Sequence, residues 1–166
     1  MPRLSRSRRL APSLAPDTAV THLVRDIEER RHGLFARDGR RLECETPDVP
    51  DDVRVPGGPV AEILGVLLDN ARVHGEGTVR LRVRDLEDAL AFDVRDEGEF
   101  DSGTARLFDS GHSGGPGDGI GLALARDLAF SLGGRVSAAG GRRPTTFTLL
   151  VPVQPVREDE TGDGGG

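Results

Sequence analysis

The chain has 166 residues with a formal net charge of -6, 36% hydrophobic residues, and six Phe but no Trp or Tyr. That length suits one domain with a real core, and the negative balance argues against a general nucleic-acid binder. The single Cys44 excludes an internal disulfide and a thiolate metal cluster, and no apolar stretch approaches membrane-spanning length or the core of a signal peptide.

Residues 1–16 carry Arg3, Arg6, Arg8 and Arg9 among Pro and Ser, and residues 154–166 end in acidic, Gly-rich sequence around Glu158, Asp159, Glu160 and Asp163. Both read as solvated flanks of a domain spanning 17–153. Within it, Asp17 or Thr18 is expected to cap a helix whose apolar positions Val20, Leu23, Val24, Ile27, Leu34 and Phe35 recur at intervals suited to one face, ending near Asp38-Gly39. Arg41 to Thr46 alternates as a short strand, and the Pro-rich stretch TPDVPDDVRVPGGP closes it as a loop. Val60 to Val73 carries the stripe Val60, Ile63, Leu64, Leu67, Leu68 and Ala71, which predicts a second helix.

Two strands of period two follow, Val79, Leu81 and Val83 against Arg80, Arg82 and Arg84, then Leu90, Phe92 and Val94 against Asp93 and Arg95, joined as a hairpin by DLED. Residues 97–118 are Gly-rich and apolar-poor, long for a connection in a compact domain, and are read as a functional lid in preference to a disordered insert. A third helix is expected from about Ile120 to Leu132, stopped by Gly133-Gly134, before strands at Arg135–Ala138 and Thr145–Val151. This order predicts an α+β fold, a two-layer sandwich with helices on one face of a mixed, mostly antiparallel sheet.

Three features carry chemistry. Gly117, Gly119 and Gly121 alternate directly ahead of the third helix, an arrangement that turns backbone amides and a helix N-terminus toward an anion, although neither a P-loop nor a dinucleotide fingerprint is completed. Asn70 stands among apolar neighbours in LLDNARVHG; it is either bonded to nearby backbone or offers its carbonyl oxygen to a magnesium ion that also holds phosphate. Asp96 ends a strand in VRDEG; it either makes turn hydrogen bonds or accepts one from an exocyclic amine, with Gly98 allowing a ring to approach.

In order and spacing, LLDNARVHG, VRDEG, LFDSG, GDGIGLALARDLAFSLGG and TTFTLLVP resemble the boxes of the ATP-binding catalytic domain of two-component sensor histidine kinases, and through it the Bergerat ATP-binding fold shared with gyrase-type ATPases and anti-sigma serine kinases. The resemblance runs from about Asp17 to Pro152. It implies ATP and Mg2+ as cofactors, Asn70 on metal and phosphate, Asp96 on the adenine amino group and Gly98 beside the base. It further implies Phe108 in the lid and Gly117, Gly119, Gly121 and Leu122 at the phosphates. His74 matches a position against adenine, or is an exposed residue at a helix end; Thr146 is a further candidate, though strand Thr is ordinary.

Two departures from the family pattern stand out. Val66 replaces the Asn or Glu found one turn before the box Asn, which leaves neither a metal ligand nor a base there, and Glu62, two turns before Asn70, either approaches the site or is solvated. Phe100 stands where a later glycine is expected, against a freely flexing lid. None of His22, His32, His74 and His112 is followed by Asp or Glu as a phosphoacceptor would be, so the acceptor is expected on a separate dimerisation hairpin, of which LSRSRRLAP resembles the end. The expected function is phosphoryl transfer from ATP to that His, with a response regulator downstream, no nucleic-acid partner and a cytoplasmic location compatible with a membrane-anchored full-length protein. The alternative is a nucleotide-binding interaction module that acts by sequestering a partner.

Overall fold

The structure is a computed structural model that describes residues 17–98, 118–139 and 144–153. Chain order is β1 (Asp17–Ala19), α1 (Val20–Arg37), β2 (Leu42–Glu45), β3 (Arg54–Pro56), α2 (Gly57–His74), β4 (Val79–Asp85), β5 (Ala89–Asp96), α3 (Asp118–Ser131), β6 (Arg135–Ala139) and β7 (Thr145–Pro152). The basic and acidic flanks, Phe100, and residues 99–117 of the lid expected at about 97–118 lie outside the described residues.

The main sheet has the order β2-β4-β5-β7-β6. Pairing is antiparallel except between β2 and β4, which run parallel because α2 crosses over between them. The alternation in the sequence decides which face is covered. Leu81 and Val83 of β4, Phe92 and Val94 of β5, and Phe147 and Leu149 of β7 form inner rows that are essentially fully buried beneath Ile63, Leu64, Leu67 and Leu68 of α2. α1 packs on β2 and α2, while α3 packs on α2 and the β6–β7 end, so all three helices share one layer. The outer face keeps the arginines of β4, each paired across the sheet: Arg80 with Glu43 at 2.9 Å, Arg82 with Glu45 at 3.5 Å and Arg84 with Asp93 at 2.6 Å. Exposed pairs of this kind contribute little stability each, about 0–1 kcal/mol, and their main effect is to balance charge on a solvated face.

The chain entry differs from the expected capped helix. Asp17 and Thr18 are strand residues, with Thr18 opposite Val55 in a two-stranded ribbon of β1 and β3, and α1 starts after Ala19 without a side-chain cap. The Val20 amide donates instead to the Val53 carbonyl at 3.0 Å, so a strand neighbour satisfies a helix-start donor that a cap would otherwise satisfy. The same ribbon explains why Arg54–Pro56, expected as loop, is a strand: its partner lies 37 residues earlier, at Asp17–Ala19. α2 begins at Gly57, ahead of the expected Val60, and Pro59 falls in its first turn, where a missing N–H costs no helical bond.

Candidate functional site

The site lies where the C-terminal end of α2, the C-terminal end of β5 and the start of α3 converge. Period two carries β5 through Phe92 and Val94 to Asp96, so the strand that buries apolar residues ends by burying a carboxylate, 4% exposed. A buried charge requires partners. The Gly98 amide donates to Asp96 Oδ1 at 2.6 Å and the Glu76 amide donates to the same oxygen at 3.3 Å. The carboxylate is thereby fixed in orientation by two backbone groups from different segments. Its other oxygen, Oδ2, lies over Gly75: a Cβ added there would come within 2.5 Å of both Asp96 Cγ and Oδ2, and within 2.6 Å of the Ala71 carbonyl oxygen. Gly75 has φ -91, so its role is clearance and not a left-handed turn.

Across the ladder, Asp96 is in register with Thr145, which is 6% exposed. The Thr145 hydroxyl donates to the Gly98 carbonyl at 3.0 Å, so Gly98 is held through both its amide and its carbonyl. Thr146, singled out in the sequence, falls outside this arrangement, because alternation along β7 turns Thr145 and Phe147 inward and leaves Thr146 on the opposite face. Counting back by two from Phe147 would have selected Thr145.

α2 supplies the second half. Its last two turns present Asp69, Asn70, Val73 and His74, and with Val66 and with Gly121 and Leu122 of α3 they line a cleft of about 180 Å³. Asn70, His74, Gly121 and Leu122, each singled out in the sequence, lie together along this cleft. Gly119 lies in the first turn of α3; Phe108 and Gly117 are outside the described residues. Val66 faces the start of α3, with Cγ1 3.6 Å from where a Gly121 Cβ would lie, which makes it an apolar wall. Glu62 is exposed and absent from the lining. Asp96 borders a neighbouring hollow of about 360 Å³ with Thr78, Arg80, Arg95, Glu97 and Pro144. Gly75 connects the two: it follows His74 of the first and abuts Asp96 of the second.

The segment between α2 and β4 is held from below. Arg40 donates through Nη1 to the Ala71 and Arg72 carbonyls at 3.0 and 2.7 Å and through Nε to the Gly77 carbonyl at 2.9 Å, placing a positive charge against carbonyls at and just beyond a helix C-terminus. Glu97 completes the connection by accepting the Thr78 amide at 2.8 Å, while its own amide donates to the Glu76 carbonyl at 2.9 Å. Gly75, Glu76 and Arg40 were not legible as site residues. Glu76 acts through its backbone, which leaves no mark in side-chain identity, and the partners of Arg40 depend on packing between α1 and α2.

Residues 58–155 match the profile of the histidine kinase-, DNA gyrase B- and HSP90-like ATPases. The chain belongs to that family. Among curated relatives it is similar to the aerobic respiration control sensor protein ArcB of Escherichia coli strain K12, 33% identical over 153 residues, covering 84% of this chain and 20% of that protein. It is also similar to the sensor histidine kinase Hik2 of Thermosynechococcus vestitus, 35% identical over 130 residues, covering 70% of this chain and 34% of that protein. The chain therefore spans about a fifth to a third of the length of these relatives. Among solved structures, the catalytic domain of histidine kinase ThkA in a nucleotide-free form superposes with a TM-score of 0.72 at 18% identity, covering 84% of this chain and 98% of that one. Full-length ShkA in complex with AMPPNP gives 0.72 at 22% identity, covering 83% and 31%. These superpositions establish the α+β fold expected from the order of elements and identified with the Bergerat fold through the resemblance. Among the described residues of this family member, no helix is long and apolar enough to cross a membrane.

Proposed function

We propose that this chain is the ATP-binding catalytic domain of a sensor histidine kinase, which donates the terminal phosphoryl group of ATP to a His on a separate dimerisation domain. The observation that carries the reading is the buried Asp96 carboxylate, oriented by the Gly98 and Glu76 amides and lying directly against Gly75, where a side chain would displace it. A fixed acceptor beside glycines suits the exocyclic amine of a flat purine. In this reading Asp96 accepts from the adenine amino group, Gly98 and His74 border the base, and Gly121 and Leu122 border the phosphates. Thr145 keeps Gly98 in place, Gly117 and Gly119 join Gly121 and Leu122 at the phosphates, and Phe108 is assigned to a lid spanning about 97–118.

Magnesium is compatible with the donor set. Asn70 offers a hard amide oxygen in the cleft, and an ion that keeps waters and phosphate oxygens needs few protein ligands. When bound, the ion would neutralise phosphate charge during transfer. What the chain itself contributes is position: Asp96 sets the base, Asn70 sets the phosphate end, and Val66 keeps a base away from the α2 wall. The apolar Val66 disfavours autonomous hydrolysis and serine transfer, both of which benefit from a base, whereas a His acceptor is a stronger nucleophile. The proposed partners follow: a dimerisation and phosphotransfer domain, and a response regulator downstream. The proposed domain limits are 17–153.

The test is titration of the chain with a fluorescent ATP analogue, with and without magnesium. Binding is expected to depend on the ion and to weaken sharply in Asn70→Asp and Asp96→Asn; equal affinity in all three proteins overturns the reading. Mixed with its own dimerisation hairpin and ATP, the chain is expected to place an acid-labile phosphoryl group on the hairpin. Nucleotide binding without transfer would favour a module that acts by sequestering a partner.

A further inference from the structure

Asp69 is the residue before Asn70 and lines the same cleft. A carboxylate beside a polyphosphate opposes its binding, because like charges a few ångström apart repel even with partial solvent screening. The fold brings a counter-charge from another helix. Arg31 of α1 reaches across to α2, and its Nη1 donates to Asp69 Oδ1 at 2.6 Å, with the Arg31 side chain 25% exposed and that of Asp69 49% exposed.

Gly65, one turn before Asp69, makes this reach possible. It is buried in the interior of α2, where glycine is the poorest helix former after proline, and a Cβ at that position would come within 2.7 Å of Arg31 Nη2 and 3.5 Å of Arg31 Cζ. The missing side chain is the seat of the guanidinium. Helix propensity has thus been given up at the one turn of α2 over which Arg31 must lie to meet Asp69.

From this geometry, and resting on the reading that the cleft holds a nucleotide, we infer that Arg31 is a positioning residue for the nucleotide's polyphosphate, acting through Asp69. It neutralises the Asp69 carboxylate and holds it in one orientation, so the phosphate end beside Asn70 meets a neutral pair in place of a free negative charge. Arg31 does not line the cleft itself, which separates this role from direct phosphate binding.

Calorimetric titration of the full chain with ATP, ADP and adenosine at fixed magnesium tests the inference. Arg31→Met is expected to lose about tenfold in affinity for ATP, less for ADP, and to leave adenosine binding unchanged, since the freed charge acts only on phosphate. Arg31→Lys should recover part of the loss. The double variant Arg31→Met/Asp69→Asn should return to within about twofold of the parent, because the charge that needed cancelling is gone. Gly65→Ala, which displaces the guanidinium while improving the helix, should raise the unfolding temperature or leave it unchanged and still weaken ATP binding. Equal losses for ATP and adenosine in Arg31→Met, or no recovery in the double variant, would make Arg31 a purely structural residue and overturn the inference. If the parent and Asn70→Asp bind ATP alike, the nucleotide assignment of the cleft itself fails and takes the role of Arg31 with it.

Discussion

Asp96 and Thr145 face each other across the β5–β7 ladder at the ends of otherwise apolar inner rows, and both bind Gly98, one through its amide and the other through its carbonyl. The two buried polar side chains and the glycine between them form one unit, so that strand register fixes the carboxylate at the base of the site. Thr145→Val is therefore expected to destabilise the chain by about 1–3 kcal/mol by leaving the Gly98 carbonyl without its donor. Chemical denaturation measures that loss. Asp96→Asn should reduce ATP affinity about 10–100-fold, because the replacement swaps an ionic acceptor for a neutral amide.

Gly75→Ala separates clearance from backbone conformation. Gly75 is extended and alanine adopts that conformation freely, yet the new methyl would meet Asp96 and the Ala71 carbonyl. The expected outcome is a loss of about 1–3 kcal/mol in stability, together with weaker nucleotide binding as the carboxylate is displaced. Unchanged nucleotide affinity in a folded Gly75→Ala protein would show that Asp96 does not need its observed orientation.

Arg40 is expected to be a large contributor to stability despite its place in the connection after α1. Arg40→Met removes the donor to the Ala71, Arg72 and Gly77 carbonyls while keeping the aliphatic stem, and should cost about 1–3 kcal/mol. Faster amide exchange at residues 75–78 should accompany the loss, because that segment is tied to α2 through this guanidinium. Exchange unchanged there would place the stabilisation elsewhere.

Cys44 offers a pH test. Burial pushes its thiol up from 9.0 to about 12, with the nearby Glu28 charge adding to the shift. The native state thus holds the proton more firmly than the unfolded chain does. Stability linked to this group is complete below about pH 9 and is lost progressively as pH rises toward 12. The denaturation midpoint of the parent should fall more steeply over that window than that of Cys44→Ala, and the native thiol should react slowly with alkylating reagents near neutral pH. Parallel pH profiles for the two proteins would contradict the shift.

The elements themselves were legible because their signals are local. Period two in β4 and β5 and the stripe of Val60, Ile63, Leu64, Leu67 and Leu68 need only neighbouring residues to declare a face, and those faces became the core. Asn70 and Asp96 stood out for the same reason, as polar residues continuing apolar rows. The β1–β3 ribbon did not, since a three-residue strand such as Arg54–Pro56 is stabilised by a partner distant in the chain. Thr145 was passed over for Thr146 where two adjacent threonines offered the same chemistry and only the inward face of β7 distinguishes them.

The sequence by itself determined the order of the three helices and the five main-sheet strands, the apolar faces and the polar residues interrupting them, because hydrophobic periodicity and glycine placement act over a few residues. Tertiary structure alone decided that Glu76 lends its amide to Asp96, that Arg40 grips the end of α2, and that Arg31 crosses over Gly65 to reach Asp69. Those contacts depend on how helices and strands far apart in the chain come to lie against one another, and backbone donors carry no residue-specific trace by which a sequence could announce them.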